Sequence, residues 1–101
     1  MPWPFASVAA PTLNTGPGVA VPLVSTEITA AQAWLTGAHF TNDHATDFVT
    51  VTITDSAGGI LTKLQIPPGG EQPYEWPFRP TLGVKWFADV AGAVGHVWGY
   101  V

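Results

Sequence analysis

Side chains able to do acid–base or metal chemistry are sparse in this chain. The densest polar run is Asn42-Asp43-His44, with His39 upstream and Asp47 downstream. Two imidazoles and a carboxylate would suffice as donors for a zinc-like ion. However, alternate residues of a strand point to opposite faces, so His39 and a loop ligand at His44 converge only in some geometries. Asn and Asp in such a run ordinarily satisfy the backbone amides of a turn. A solvated turn is the expectation, with no metal and no cofactor. Asp55, heading Ser56-Ala57-Gly58-Gly59, reads as the cap of a second turn.

Nucleophilic catalysis fares no better. A serine or threonine nucleophile needs a base and an orienting group within reach, and none of the three histidines sits in a local signature of that kind. Glu71 and Glu75 could be a carboxylate pair, but they lie by a Pro-Gly turn and read as solvated loop acids. His96, beside Val97 and Trp98, reads as a sheet or interface residue. Cysteine is absent, which removes thiolate catalysis, thiolate metal sites and disulfides together. A non-enzymatic protein is expected.

The aromatic residues are the more informative set. Tyr74, Trp76 and Phe78 alternate through the proline-punctuated stretch Pro73 to Pro80, so they share one face if that stretch is extended. Such a row can stack on sugar rings. The polar neighbours Glu75 and Arg79 would then face the opposite way, which favours core or subunit contact over a carbohydrate-binding β-sandwich module. Trp3 and Phe5 are a second aromatic pair, set among Pro2, Pro4 and Pro11. Either they tuck onto their own domain or they fill a neighbour's groove.

The elements that must position these residues are strands. From Thr46 to Ile66, Val49, Val51 and Ile53 alternate with threonines, a Gly-bearing turn follows, and Ile60, Thr62, Leu64 and Ile66 resume the alternation. That pattern is a β-hairpin with one buried face. Gln32–Asn42 predicts another strand, with Trp34, Thr36, Ala38 and Phe40 on one face, Leu35, Gly37, His39 and Thr41 on the other, and Gly37 a candidate bulge. Val19–Ser25 reads as a first strand limited by Pro22, and Glu27–Gln32 as at most one helical turn. Pro73–Pro80 can be only an edge strand or an extended crossover. Leu82–Asp89 and His96–Val101 complete the set. The expected fold is all-β, an antiparallel β-sandwich of six to eight short strands, jelly-roll or Ig-like. Residues 1–18 form an extended proline-rich arm, and residues 19–101 form the β-sandwich domain.

Composition narrows the partners. The 101 residues suit one domain, and only 10% are charged, far below the usual quarter. Much of the surface must be neutral or apolar, as at interfaces, so a homo-oligomer is expected. The net charge is −4, and Lys63, Arg79 and Lys85 are scattered. No basic cluster exists to displace counterions from nucleic acid or to hold an anionic membrane. The N-terminus lacks the features of a signal peptide, which places synthesis in a cytoplasm.

Four segments between Thr36 and Val101 carry a resemblance. They are the Gly-x-His-Phe-Thr-Asn strand at 37–42, the hairpin leading into Thr-Asp-Ser-Ala-Gly-Gly at 54–59, the Ile-Pro-Pro-Gly-Gly turn at 66–70, and Val-Trp-Gly-Tyr-Val at 97–101. Together they resemble small β-sandwich virion proteins of tailed bacteriophages, of the capsid decoration or cement type. The resemblance implies a structural subunit, possible as a trimer, made in the host cytoplasm and docked on the major capsid protein or another virion protein. A tail, neck or fibre-attachment protein is the structural alternative. Trp3, Phe5, Tyr74, Trp76, Phe78 and Arg79 are the protein-contact residues on this reading.

Overall fold

A computed structural model describes residues 13–101, which are all-β with no helix among them. Seven strands form one antiparallel sheet: β1 (Leu13–Asn14), β2 (Val19–Ala20), β3 (Thr26–Asn42), β4 (Val49–Thr54), β5 (Ile60–Ile66), β6 (Glu71–Ala88) and β7 (Ala93–Tyr100). The order is β1-β7-β3-β6-β4-β5, with β2 also pairing β7. Two strands are far longer than short-strand patterning implies, with 17 residues in β3 and 18 in β6. Fully extended, chain of that length would span about 55 Å at ~3.3 Å per residue, so both strands must bend for their ends to share one core.

Those two strands run through both halves of the sheet. β7 pairs only the Trp34–Asn42 part of β3, and β4 pairs only the Lys85–Ala88 end of β6. The halves fold over each other as in a sandwich. Phe40 lies opposite Gln72 in its own ladder, yet its ring packs 6.0 Å from that of Trp86 at the other end of β6. One buried cluster therefore joins Leu35, Phe40 and Val97 to Val49, Val51, Ile53, Ile66 and Val84. Gly95 on β7 leaves the room that the Phe40 ring needs, since a Cβ there would overlap it.

The hairpin of β4 and β5 forms as its alternation requires, with Val49, Val51 and Ile53 fully buried. Asp55 caps its turn, accepting bonds from the amides of Ala57 (2.9 Å) and Gly59 (2.7 Å). Two details differ from the simple pattern. Thr52 and Thr54 are also buried, and a register shift next to Thr54 turns Ile60 outward while Leu61 packs on the core.

The remaining differences have local causes. Glu27–Gln32 continues β3 as strand rather than making a helical turn, because Thr26, Glu27, Thr29 and Gln32 pair with β6, with register shifts absorbed at 27/29 and 29/32. Residues 19–25 hold only a two-residue strand. Pro22 ends it, and its carbonyl instead accepts a bond from Ala88 (2.8 Å). Residues 13–15 belong to the sheet rather than to a separate arm: Leu13 is buried, and the Thr15 amide bonds the Val97 carbonyl.

Candidate interaction surface

β7 alternates cleanly. Ala93, Gly95, Val97 and Gly99 are buried, while Val94, His96, Trp98 and Tyr100 lie half-exposed on the outer face. β3 would do the same but for a bulge. Leu35 pairs with Gly99 and Gly37 with Trp98, leaving Thr36 as an extra residue. The bulge shifts the alternation, so that Ala33 and Leu35 join Ala38, Phe40 and Asn42 on the buried face. Trp34 moves to the outside. Gly37 is the anticipated bulge neighbour, and it has a second role: the Trp98 indole lies over it, where a Cβ would overlap the ring.

β6 carries a larger irregularity at the same level. Leu35 pairs with Arg79 and Gly37 with Glu75, so Trp76, Pro77 and Phe78 together face the single Thr36. The expected common face of Tyr74, Trp76 and Phe78 does not survive this excursion. Tyr74 and Trp76 pack together with ring centroids 4.8 Å apart, and Trp76, only 6% exposed, is part of the core rather than a contact residue. Its indole N–H has no acceptor among the described residues. Phe78 is 61% exposed and turns the other way, with φ of 50°. A bulky side chain is rarely held in that left-handed region, which costs about 1–2 kcal/mol. Its ring stacks on Tyr100 at 5.9 Å, joining β6 to β7 across β3.

The result is an apolar shelf on the outer face. Tyr100, Trp34 and Pro80 are consecutive partners across β7, β3 and β6, and Gln32 and Leu82 are partners two residues further along. Trp34 is 39% and Leu82 69% exposed. A shallow hollow of about 410 Å³ lies among Gln32, Pro80, Thr81 and Leu82. Exposed Arg79 is next to the shelf in sequence, and Tyr74, 36% exposed, sits on the β6 edge. Trp3 and Phe5 lie outside the described residues.

The polar candidates gather at the opposite end of β3. Asn42 is buried, and its amide donates to the carbonyls of Asp47 (2.8 Å) and Ile66 (2.9 Å). His44 Nδ1 accepts from the amides of Thr46 and Asp47, which places its proton on Nε2, 3.5 Å from the Asp47 carboxylate. His39 belongs to a separate pair with Glu71, 3.3 Å away. His96 bonds Asn14 at 2.6 Å and packs beside Trp98. A hollow of about 640 Å³ is lined by residues that include Asp43, His44 and Glu71. No group of three or more metal-ligating side chains converges among the described residues. Asn42 and His44 shape the turn, while His39 and His96 are held in pairs between strands.

Trp34, Pro80, Leu82 and Tyr100 were not singled out by sequence. The signal for Trp34 was present in the Gly37 bulge: shifting the alternation by one residue before it exchanges Trp34 and Leu35 between faces. The Phe78 excursion has a weaker signal, the prolines that interrupt its alternation.

The fold and this surface define an all-β, sandwich-like protein with an exposed aromatic and proline shelf. The chain matches no family model, no curated protein and no solved structure.

Proposed function

We propose that this protein is a non-enzymatic virion structural subunit, a capsid decoration or cement protein that binds the head of a tailed bacteriophage. The observation that carries the reading is the shelf of Trp34, Phe78, Pro80, Leu82 and Tyr100 on a chain with so few charges. A contiguous exposed aromatic surface is costly to leave in water and suits the centre of a protein interface. Arg79 and Tyr74 are placed to serve at its margin. The major capsid protein is the partner in this reading, and a homo-oligomer, possible as a trimer, would present several shelves at once.

The mechanism is clamping. A subunit that binds the intact shell and not its dissociated parts stabilises the shell by mass action, by about 2.7 kcal/mol per site at a hundredfold excess over Kd. The resemblance carried by the Ile66-Pro67-Pro68-Gly69-Gly70 turn and the Val97–Val101 segment supports the same assignment.

The test is mass spectrometry of purified particles produced from the genome that encodes this chain, with heat rupture of particles lacking it. The expected result is a copy number matched to capsid sites and a lower rupture temperature without the protein. A few copies per particle would assign a tail, neck or fibre-attachment role. Absence from particles, together with glycan-array binding lost in Trp34→Ala, would replace the proposal with a carbohydrate-binding module.

A further inference from the structure

The outer-face shelf lies where the N-terminal segment enters the fold. Leu13, the first described residue, pairs with Gly99 in antiparallel register and so stands at the end of β7, one position from Tyr100. From there Tyr100, Trp34 and Pro80 lead across the sheet. The distance from β1 to β6 is three strand spacings in the order β1-β7-β3-β6, or about 14 Å at ~4.8 Å each. Phe5 precedes Leu13 by eight residues and Trp3 by ten. Proline-rich chain drawn out at ~3.1 Å per residue covers about 25 and 31 Å over those lengths, enough to reverse direction and cross the face.

The chemistry matches as well. Residues 1–12 carry no charged side chain and place Trp3 and Phe5 between prolines. Proline-rich segments bind aromatic-lined surfaces at low ordering cost, because the bound conformation is already favoured in the free chain. The shelf offers such a surface, with Trp34 opposite Pro80 and the exposed Phe78 ring stacked on Tyr100. We infer that the Pro2-Trp3-Pro4-Phe5 segment docks on the Trp34–Phe78–Pro80–Leu82 shelf of its own molecule. The tether favours this occupant over a second copy, since a short linker holds the segment at an effective concentration in the millimolar range. The inference concerns the isolated protein; on the virion reading the capsid partner takes the same shelf by displacing this segment.

Because the chain has no cysteine, Ala6→Cys gives a single attachment point for a nitroxide next to Phe5. In uniformly ¹⁵N-labelled, full-length protein, the expected result is loss of the Trp34 indole and Leu82 amide signals when the nitroxide is active. Signals of Asp43 and Gly69, at the far end of β3, should keep their intensity. Mixing spin-labelled unenriched chain with ¹⁵N chain lacking the label should cause no loss. Adding Trp3→Ala and Phe5→Ala to the labelled chain should restore the Trp34 and Leu82 signals. Three outcomes would overturn the inference: intact Trp34 and Leu82 signals in the first sample, equal loss in the mixed sample, which would put the segment on a second copy, or loss that persists without Trp3 and Phe5, which would reflect the tether alone.

Discussion

Replacing Asn42 with alanine should remove the knot that ties two loops to the end of the core. The side chain is 1% exposed and makes three bonds: Nδ2 donates to Asp47 O at 2.8 Å and to Ile66 O at 2.9 Å, and Oδ1 accepts from the His44 amide at 2.8 Å. Its backbone adds bonds to Gly69 and Gly70, which the substitution leaves in place. Three bonds at about 1 kcal/mol net each give ~3 kcal/mol, and the unpaired Ile66 carbonyl adds up to about 1 kcal/mol more. With a urea slope of ~1.5 kcal/mol/M, the unfolding midpoint should fall by about 2 M. Tryptophan fluorescence during urea titration measures it, with unchanged slope as the sign that the native state is otherwise intact. Asn42→Asp should be no better. It keeps an acceptor for His44 but sets a carboxylate oxygen against two carbonyl oxygens. A midpoint within about 0.5 M of the parent for Asn42→Ala would refute the reasoning, because the loops would then be held by their own turn chemistry.

Other changes test other parts of the fold. Gly37→Ala should displace the Trp98 indole and cost about 1–3 kcal/mol, read as a lower thermal midpoint with altered near-ultraviolet dichroism. At position 78, glycine should be more stable than alanine by about 1 kcal/mol, since both lose the stack on Tyr100 and only glycine escapes the left-handed penalty. Phe40→Ala should cost about 3–5 kcal/mol in chemical denaturation, because the ring is fully buried between the two halves of the sheet. Asp55→Ala removes two turn bonds at an exposed site and should cost only about 1 kcal/mol by the same measurement.

The all-β class, the β4–β5 hairpin and its capped turn were legible in the sequence because each depends on neighbouring residues. Period-two alternation and Gly or Asp at a turn are local signals. Pro73–Pro80 belongs to β6, an interior strand of the sheet, but along that stretch it pairs with β3 alone, which is the part of the edge expectation that proline's missing amide made legible. The fusion of neighbouring segments into strands of 17 and 18 residues was not. Thr26–Gln32 has little apolar alternation of its own, and it is extended because β6 supplies its hydrogen-bond partners.

The candidate surface divides along the same line. Sequence by itself determined that aromatic and proline residues, rather than titratable ones, are the material available for contact. Tertiary structure decided which of them face outward. Opposed irregularities at Thr36 and at Trp76–Phe78 send Leu35 and Trp76 into the core and Trp34 and Phe78 out of it. Such a choice belongs to strand register, where an offset of one residue reverses every side chain beyond it, and register is set by partners distant in the chain.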